Sequence, residues 1–73
     1  MVPLSTVARG VEVEIHSLEG LDPRRLARLS LYGLVPGCTV SLVQHHPAPV
    51  VKVGETEVAL ERQILDQILV HEP

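Results

Sequence analysis

Three side chains able to ligate a metal ion lie close together in the sequence, namely Cys38, His45 and His46. Thiolate and imidazole groups are ligands that Zn²⁺ and Fe²⁺ accept. Adjacent histidines on extended chain point to opposite sides, however, and no second cysteine or spaced histidine pair supplies four ligands. We therefore predict no metal site and no cofactor, with these three residues as the only metal candidates. Cys38 is expected to be a small packing residue, and the histidines to lie on a surface loop.

Nucleophilic catalysis is not indicated by the serines, which are Ser5, Ser17, Ser30 and Ser41. A catalytic nucleophile needs a base and an orienting partner in a concave site. None of these serines lies beside a glycine-rich elbow, and the chain contains neither a phosphate-cradling loop nor a paired-carboxylate motif. The sequence therefore predicts that the protein is not an enzyme.

A cluster of arginines, Arg24, Arg25 and Arg28, is the strongest candidate for a binding role. On a helix these three side chains share the outer face, with Leu31 and Tyr32 exposed beside them. Such a run of charge is commonly a solvated face. In a chain whose formal net charge is −3, it would also suit an acidic partner protein. We predict a protein-binding surface formed by these five residues.

The helix that carries these arginines has both of its ends marked in the sequence. Asp22 is a typical N-cap residue, Pro23 fits the first helical position, and Gly33 lies where a left-handed C-terminal residue belongs. We predict a helix over residues 23–32, with Leu26 and Leu29 facing the core.

Residues that alternate between apolar and polar predict several short strands. Pro36 and Gly37 suit the centre of a type II turn before one of them, so that Gly33, Pro36 and Gly37 are structural turn residues. The segment 61–68 is predicted to form a short helix. The predicted strands cover residues 11–16, 39–44, 50–53 and 56–60, with a closing strand at 69–70. This order predicts a mainly β fold, a small closed or nearly closed barrel of about five strands.

Composition narrows the possible functions further. The chain has 73 residues and is 45% hydrophobic, with no Phe, no Trp and a single Tyr. Grooves for proline-rich peptides and platforms for single-stranded nucleic acid need rows of exposed aromatic rings. The acidic net charge also lacks the basic footprint that nucleic acids require. We expect one domain over residues 1–73 that binds no nucleic acid.

The same features predict the compartment. A single cysteine has no partner for an internal disulfide, which fits a reducing environment. No apolar run approaches the roughly 20 residues of a membrane-spanning helix, and no basic N-terminal region precedes an apolar stretch. We expect a cytoplasmic protein that does not insert into membranes.

Several of these residues together resemble the ferrous iron transport protein A (FeoA) family. The resemblance covers nearly the whole chain, and its most specific element is a pentapeptide that follows the capped helix. The residues that carry it are Leu4-Ser5, Gly10, Asp22-Pro23, Gly33-Leu34-Val35-Pro36-Gly37 and Val40. It implies a cytosolic SH3-like barrel with a helix between its first two strands. It also implies that the protein assists a membrane ferrous iron transporter bearing a cytosolic G-protein domain (FeoB-like).

Two alternatives remain open at this point. A similar barrel closes the C-terminus of metal-dependent repressors of the diphtheria toxin repressor type, so a regulator-type interaction module is one of them. A metal-binding chaperone is the other. The loop at residues 45–49 is shorter than the family's, and self-association is also compatible with the sequence.

Overall fold

The computed structural model describes residues 1–72 and is mainly β, as the strand pattern predicts, with the small SH3-like fold that the family resemblance implies. A 3₁₀ turn at Leu4–Thr6 follows the first strand. The strands are β1 (Val2–Pro3), β2 (Glu12–Ser17), β3 (Thr39–Gln44), β4 (Val50–Val53), β5 (Thr56–Ala59) and β6 (Leu69–Val70), and the helices are α1 (Pro23–Leu31) and α2 (Arg62–Leu65).

The six strands form an antiparallel sheet in the order β1-β6-β2-β3-β4-β5. The strand β1 was not predicted, so α1 follows the second strand and not the first. Two residues are too few to show alternation, and β1 exists because Val2 pairs with Val70 across the length of the chain. Within residues 1–72 the two α-helices have nine and four residues, and neither could span a lipid bilayer.

The core consists of aliphatic side chains. Along the strands, apolar residues that point inward alternate with polar residues that point to solvent. On β2, for example, Val13 and Ile15 are buried while Glu12, Glu14 and His16 are exposed. The buried core comprises Leu4, Val7, Val13, Ile15, Leu18, Leu21, Leu29, Leu34, Val40, Leu42, Val51, Val58, Leu60, Ile64, Leu65, Ile68 and Val70.

Both ends of α1 are capped as their residue types predict. The Asp22 carboxylate accepts a hydrogen bond of 2.8 Å from the backbone N–H of Arg25. At the other end Gly33 has a φ of 87°, and its N–H donates to the carbonyl of Ser30. The N–H of Leu34 donates to the carbonyl of Leu29, which completes a Schellman motif. The helix therefore begins and ends through local hydrogen bonds.

The core contact of α1 differs from the prediction. Leu29 is fully buried, but Leu26 is 40% exposed, so the expectation that both leucines face the core was wrong for Leu26. The helix is nine residues long and touches the barrel along a narrow stripe, which accommodates one large side chain. Leu29 is thus the sole buried side chain of α1.

A tight turn connects α1 to β3. The N–H of Cys38 donates to the carbonyl of Val35 at 3.1 Å, and Gly37 has a φ of 93°. The N–H of Gly37 also donates to the carbonyl of Ile15, and the N–H of Ile15 donates to the carbonyl of Cys38. The turn is therefore hydrogen-bonded to β2 and leads directly into β3.

Ionised Asp22 is expected to make the stability of the protein depend on pH in acid. The hydrogen bond from the Arg25 N–H, aided by the charge of Arg25, holds the pKa of Asp22 below its ordinary value of 3.8. A pKa that is lower in the folded state adds stability above pH 3.8, which is lost as the pH falls through the folded pKa.

Thermal melts of the wild type, Asp22→Ala and Asp22→Asn across the acid range check this expectation. Near neutral pH, Asp22→Ala should melt lowest, because it lacks the cap altogether. The advantage of the wild type over Asp22→Asn should disappear in acid, since protonated Asp22 and Asn cap similarly. An advantage that persists at the lowest pH would contradict the assigned cause.

Candidate protein-binding surface

The outer face of α1 presents a stripe of two cations and one apolar side chain. Arg24, Arg28 and Leu31 are spaced i, i+4 and i+7, so they line one side of the helix. Leu31 is 84% exposed, the largest exposure of any large apolar side chain within residues 1–72. Within the same residues neither Arg24 nor Arg28 has a carboxylate within salt-bridge distance. Both guanidinium groups are therefore free to meet a partner.

Arg25 is held differently from the other two arginines. Its Nη1 lies 3.1 Å from Oδ2 of Asp22, and the side chain is only half exposed. Charge reversal at Arg25 would place two carboxylates together at the N-terminus of the helix and disturb the cap. Arg25 consequently belongs to the capping arrangement of α1 more than to its free outer face.

Exposed apolar residues are concentrated in one segment of the described chain. Apart from Met1, the exposed large hydrophobic side chains are Leu26, Leu31, Tyr32 and Val35. All four lie on α1 or in the four residues that follow it. Clusters of this kind, rimmed by polar groups, commonly mark interaction sites. We call Arg24, Arg28, Leu31 and Tyr32 the α1 surface.

A groove of about 480 Å³ adjoins the α1 surface. Arg28 forms one side of it, and Glu61 and Arg62 contribute charged groups. Its remaining lining is apolar, consisting of Pro47, Ala48, Pro49, Ala59 and Leu60. Arg62 fixes the loop that forms one wall, because its Nη2 donates to the carbonyl of His45 at 3.0 Å. The groove therefore extends the α1 surface towards the loop at residues 45–49.

The comparison that decides the family is a match to the FeoA domain, which covers residues 2–72. The chain belongs to the FeoA family. None of the curated proteins matches it.

Solved FeoA structures share the fold. A crystal structure described as iron uptake regulatory protein (FeoA) has a TM-score of 0.82 and 24% identity, covering 96% of this chain and 93% of that one. The FeoA protein from Chlorobium tepidum has a TM-score of 0.88 and 25% identity, covering 96% of this chain and 69% of that one. Iron(II) transport protein A from Clostridium thermocellum has a TM-score of 0.85 and 30% identity, covering 94% of this chain and 44% of that one.

The predicted metal candidates of this FeoA chain are engaged in other contacts. Cys38 is half buried against the core. Nε2 of His45 lies 3.2 Å from the carbonyl oxygen of Val7, and Nδ1 of His46 lies 3.4 Å from Nη2 of Arg62. Within residues 1–72 no three His, Cys, Asp or Glu side chains are grouped to hold a metal ion.

The backbone at His45 and His46 is not the fully extended chain assumed from the sequence. The ring centroids of these two residues lie 6.4 Å apart. The chain bends at residues 46–48 directly after β3, so the extended geometry on which the argument rested does not apply.

Sequence reasoning missed the far side of the groove in this FeoA domain. This side consists of Ala59, the last residue of β5, and of Leu60 and Glu61, which follow it. These residues lie beside the loop at residues 45–49 because β4 pairs with β5. The prolines of that loop signalled a break between strands but not a groove wall. The recognisable signal was the predicted hairpin of β4 and β5, which returns residue 59 to the level of residue 50.

Proposed function

We propose that this protein is a cytoplasmic accessory of ferrous iron uptake that binds the membrane ferrous iron transporter. It docks on the cytosolic part of the transporter, which bears a G-protein domain, and so regulates or stabilises it. Membership of the FeoA family supports the proposal. Two structural neighbours are described as an iron uptake regulatory protein and as an iron(II) transport protein.

The observation that carries this proposal is the exposure of Leu31 on the same side of α1 as the free arginines Arg24 and Arg28. Protein interfaces typically have an apolar centre from which charged residues are depleted and a polar, solvent-accessible rim, with aromatic residues and Arg enriched in the interface as a whole. Leu31 and Tyr32 supply such a centre, and Arg24 and Arg28 supply the rim. A partner that fits has an apolar recess bordered by carboxylates.

The distribution of charge favours one orientation of docking. The chain has six basic residues, of which Arg24, Arg25 and Arg28 lie on α1 and Arg62 lines the adjoining groove. Nine acidic residues give the whole chain a formal net charge of −3. An acidic partner is therefore attracted to this side of the protein and repelled by the others, which steers the encounter.

Reversing the two free charges is expected to weaken binding. The variant Arg24→Glu/Arg28→Glu should bind the purified cytosolic domain of the transporter at least tenfold more weakly, because attraction becomes repulsion. The matched control is Arg9→Glu/Lys52→Glu, which changes the net charge equally at exposed residues away from the α1 surface. Calorimetric titration of all three proteins at two salt concentrations measures the difference, and the wild-type affinity should fall with salt.

Melting curves separate binding from folding in this experiment. Solvated charges contribute little to stability, so both double variants should melt close to the wild type. Equal loss of affinity in the two variants would mean that net charge, and not the α1 surface, controls binding. Undiminished binding by folded Arg24→Glu/Arg28→Glu would show that the α1 surface is not the docking site. The loop at residues 45–49 would then be the next candidate.

A further inference from the structure

Two histidines that are far apart in the sequence meet on the sheet. Nδ1 of His16 lies 3.3 Å from Nε2 of His71, and the ring centroids are 4.9 Å apart with an angle of 84° between the planes. Both side chains are exposed to solvent. They are separated by 55 positions in the sequence, so only the fold brings them together.

The backbone holds both residues in place. His16 lies on β2, and His71 directly follows β6, the strand that pairs with β2. Ile15 pairs with Val70, and the N–H of His71 donates to the carbonyl of Glu14 at 2.9 Å. A register irregularity lies between Ile15 and Ser17, at His16 itself. The two imidazoles therefore project from one hydrogen-bonded strand pair, and little ordering is needed to bring them together.

We propose that His16 and His71 form a two-nitrogen site for a divalent transition metal ion. Metal–nitrogen bonds of about 2.0–2.1 Å to two atoms at this separation enclose an angle of roughly 105–110°, which is close to tetrahedral. This site is independent of the α1 surface and of transporter binding. It uses none of the metal candidates predicted from the sequence.

Binding requires a tautomer change and a small rotation of the two exposed rings. Without metal, one of the facing nitrogens carries a proton that it donates to the other. When the ion binds, that proton moves through water to the far nitrogen of the same ring. The exposed rings turn about their side-chain torsions so that both lone pairs converge on the ion, and the change of tautomer itself releases no proton.

The remaining coordination positions belong to water. No third His, Cys, Asp or Glu within residues 1–72 joins the pair. A site with two imidazoles and open positions binds ions reversibly, with affinity rising from Fe²⁺ through Co²⁺ to Ni²⁺ and Cu²⁺. It accordingly favours late first-row ions such as Zn²⁺, Ni²⁺ and Cu²⁺ over Fe²⁺.

Titration of the untagged full chain with ZnCl₂, followed by NMR of the imidazole protons, tests the site. Zn²⁺ should shift the ring resonances of His16 and His71 together. His16→Gln and His71→Gln should each lower the affinity at least tenfold, while the matched control His45→Gln/His46→Gln should bind as the wild type does. Backbone spectra verify that each variant is folded, which is expected because His16, His71 and His46 are exposed and His45 is only half buried.

Two outcomes of the Zn²⁺ titration would overturn the site. Equal Zn²⁺ affinity in the wild type and either folded single variant would overturn the site. Ring shifts confined to His45 and His46 would overturn it as well. A repeat with FeSO₄ under anaerobic conditions should give weaker binding than ZnCl₂, and tighter binding of Fe²⁺ would contradict a site made of two imidazoles and water.

Discussion

Leu29→Ala is expected to lower the free energy of unfolding by about 2–5 kcal/mol, the range for truncating a fully buried leucine. Leu29 is 0% exposed and is the only buried side chain of α1. Its loss leaves a cavity and removes the main apolar contact between the helix and the barrel. Proteins of this size are marginally stable, so a loss of this magnitude leaves little margin before unfolding.

Leu31→Ala is the matched control, because it makes the same chemical change two residues away on the same helix. With Leu31 84% exposed, the free energy of unfolding should change by no more than about 0.5 kcal/mol. Urea denaturation of both variants measures the difference. Equal destabilisation would show that α1 rests on the barrel through a different face.

Binding should separate this pair of variants in the opposite sense. Leu31 is the most exposed apolar residue of the α1 surface, so under the proposed function Leu31→Ala should weaken binding to the transporter's cytosolic domain while the protein remains stable. Leu29→Ala keeps every residue of the α1 surface, so the protein that remains folded should still bind. Stability is thus expected to depend on the inner side of α1, and binding on its outer side.

Local signals explain why much of this fold was predictable. The caps of α1 depend on Asp22, Pro23 and Gly33, and each acts within four residues along the chain. Strands β3 and β4 match the predicted bounds because alternation marks β3, while Pro49 and Gly54 bracket the valine-rich run of β4. Their bounds could be predicted without knowing which strands they pair with.

Features that depend on distant pairing were the ones missed. The strand β1 has two residues and is defined only by its pairing with β6. The His16–His71 pair likewise depends on the β2–β6 register, which no local pattern encodes. Leu26 was misplaced because helical spacing shows which residues share a face but not how wide the contact with the barrel is.

Gly37→Val is expected to lower the free energy of unfolding by about 1–3 kcal/mol, the cost of a strained backbone conformation. Gly37 has a φ of 93°, which a β-branched residue adopts only with strain. A Cβ atom at this position meets nothing within 4 Å, so steric overlap with neighbours adds nothing to that cost. The effect therefore isolates the backbone contribution of the turn.

The turn cannot relax freely to relieve this strain. The N–H of Gly37 donates to the carbonyl of Ile15 at 2.8 Å, and the carbonyl of Cys38 accepts from the N–H of Ile15 at 2.9 Å. Movement at residue 37 would break hydrogen bonds to β2, which carries buried Val13 and Ile15. Asn tolerates positive φ, so Gly37→Asn should retain most of the stability that Gly37→Val loses. Urea denaturation of the three proteins measures this order, and equal stability of the Val and Asn variants would show that positive φ is not what this position requires.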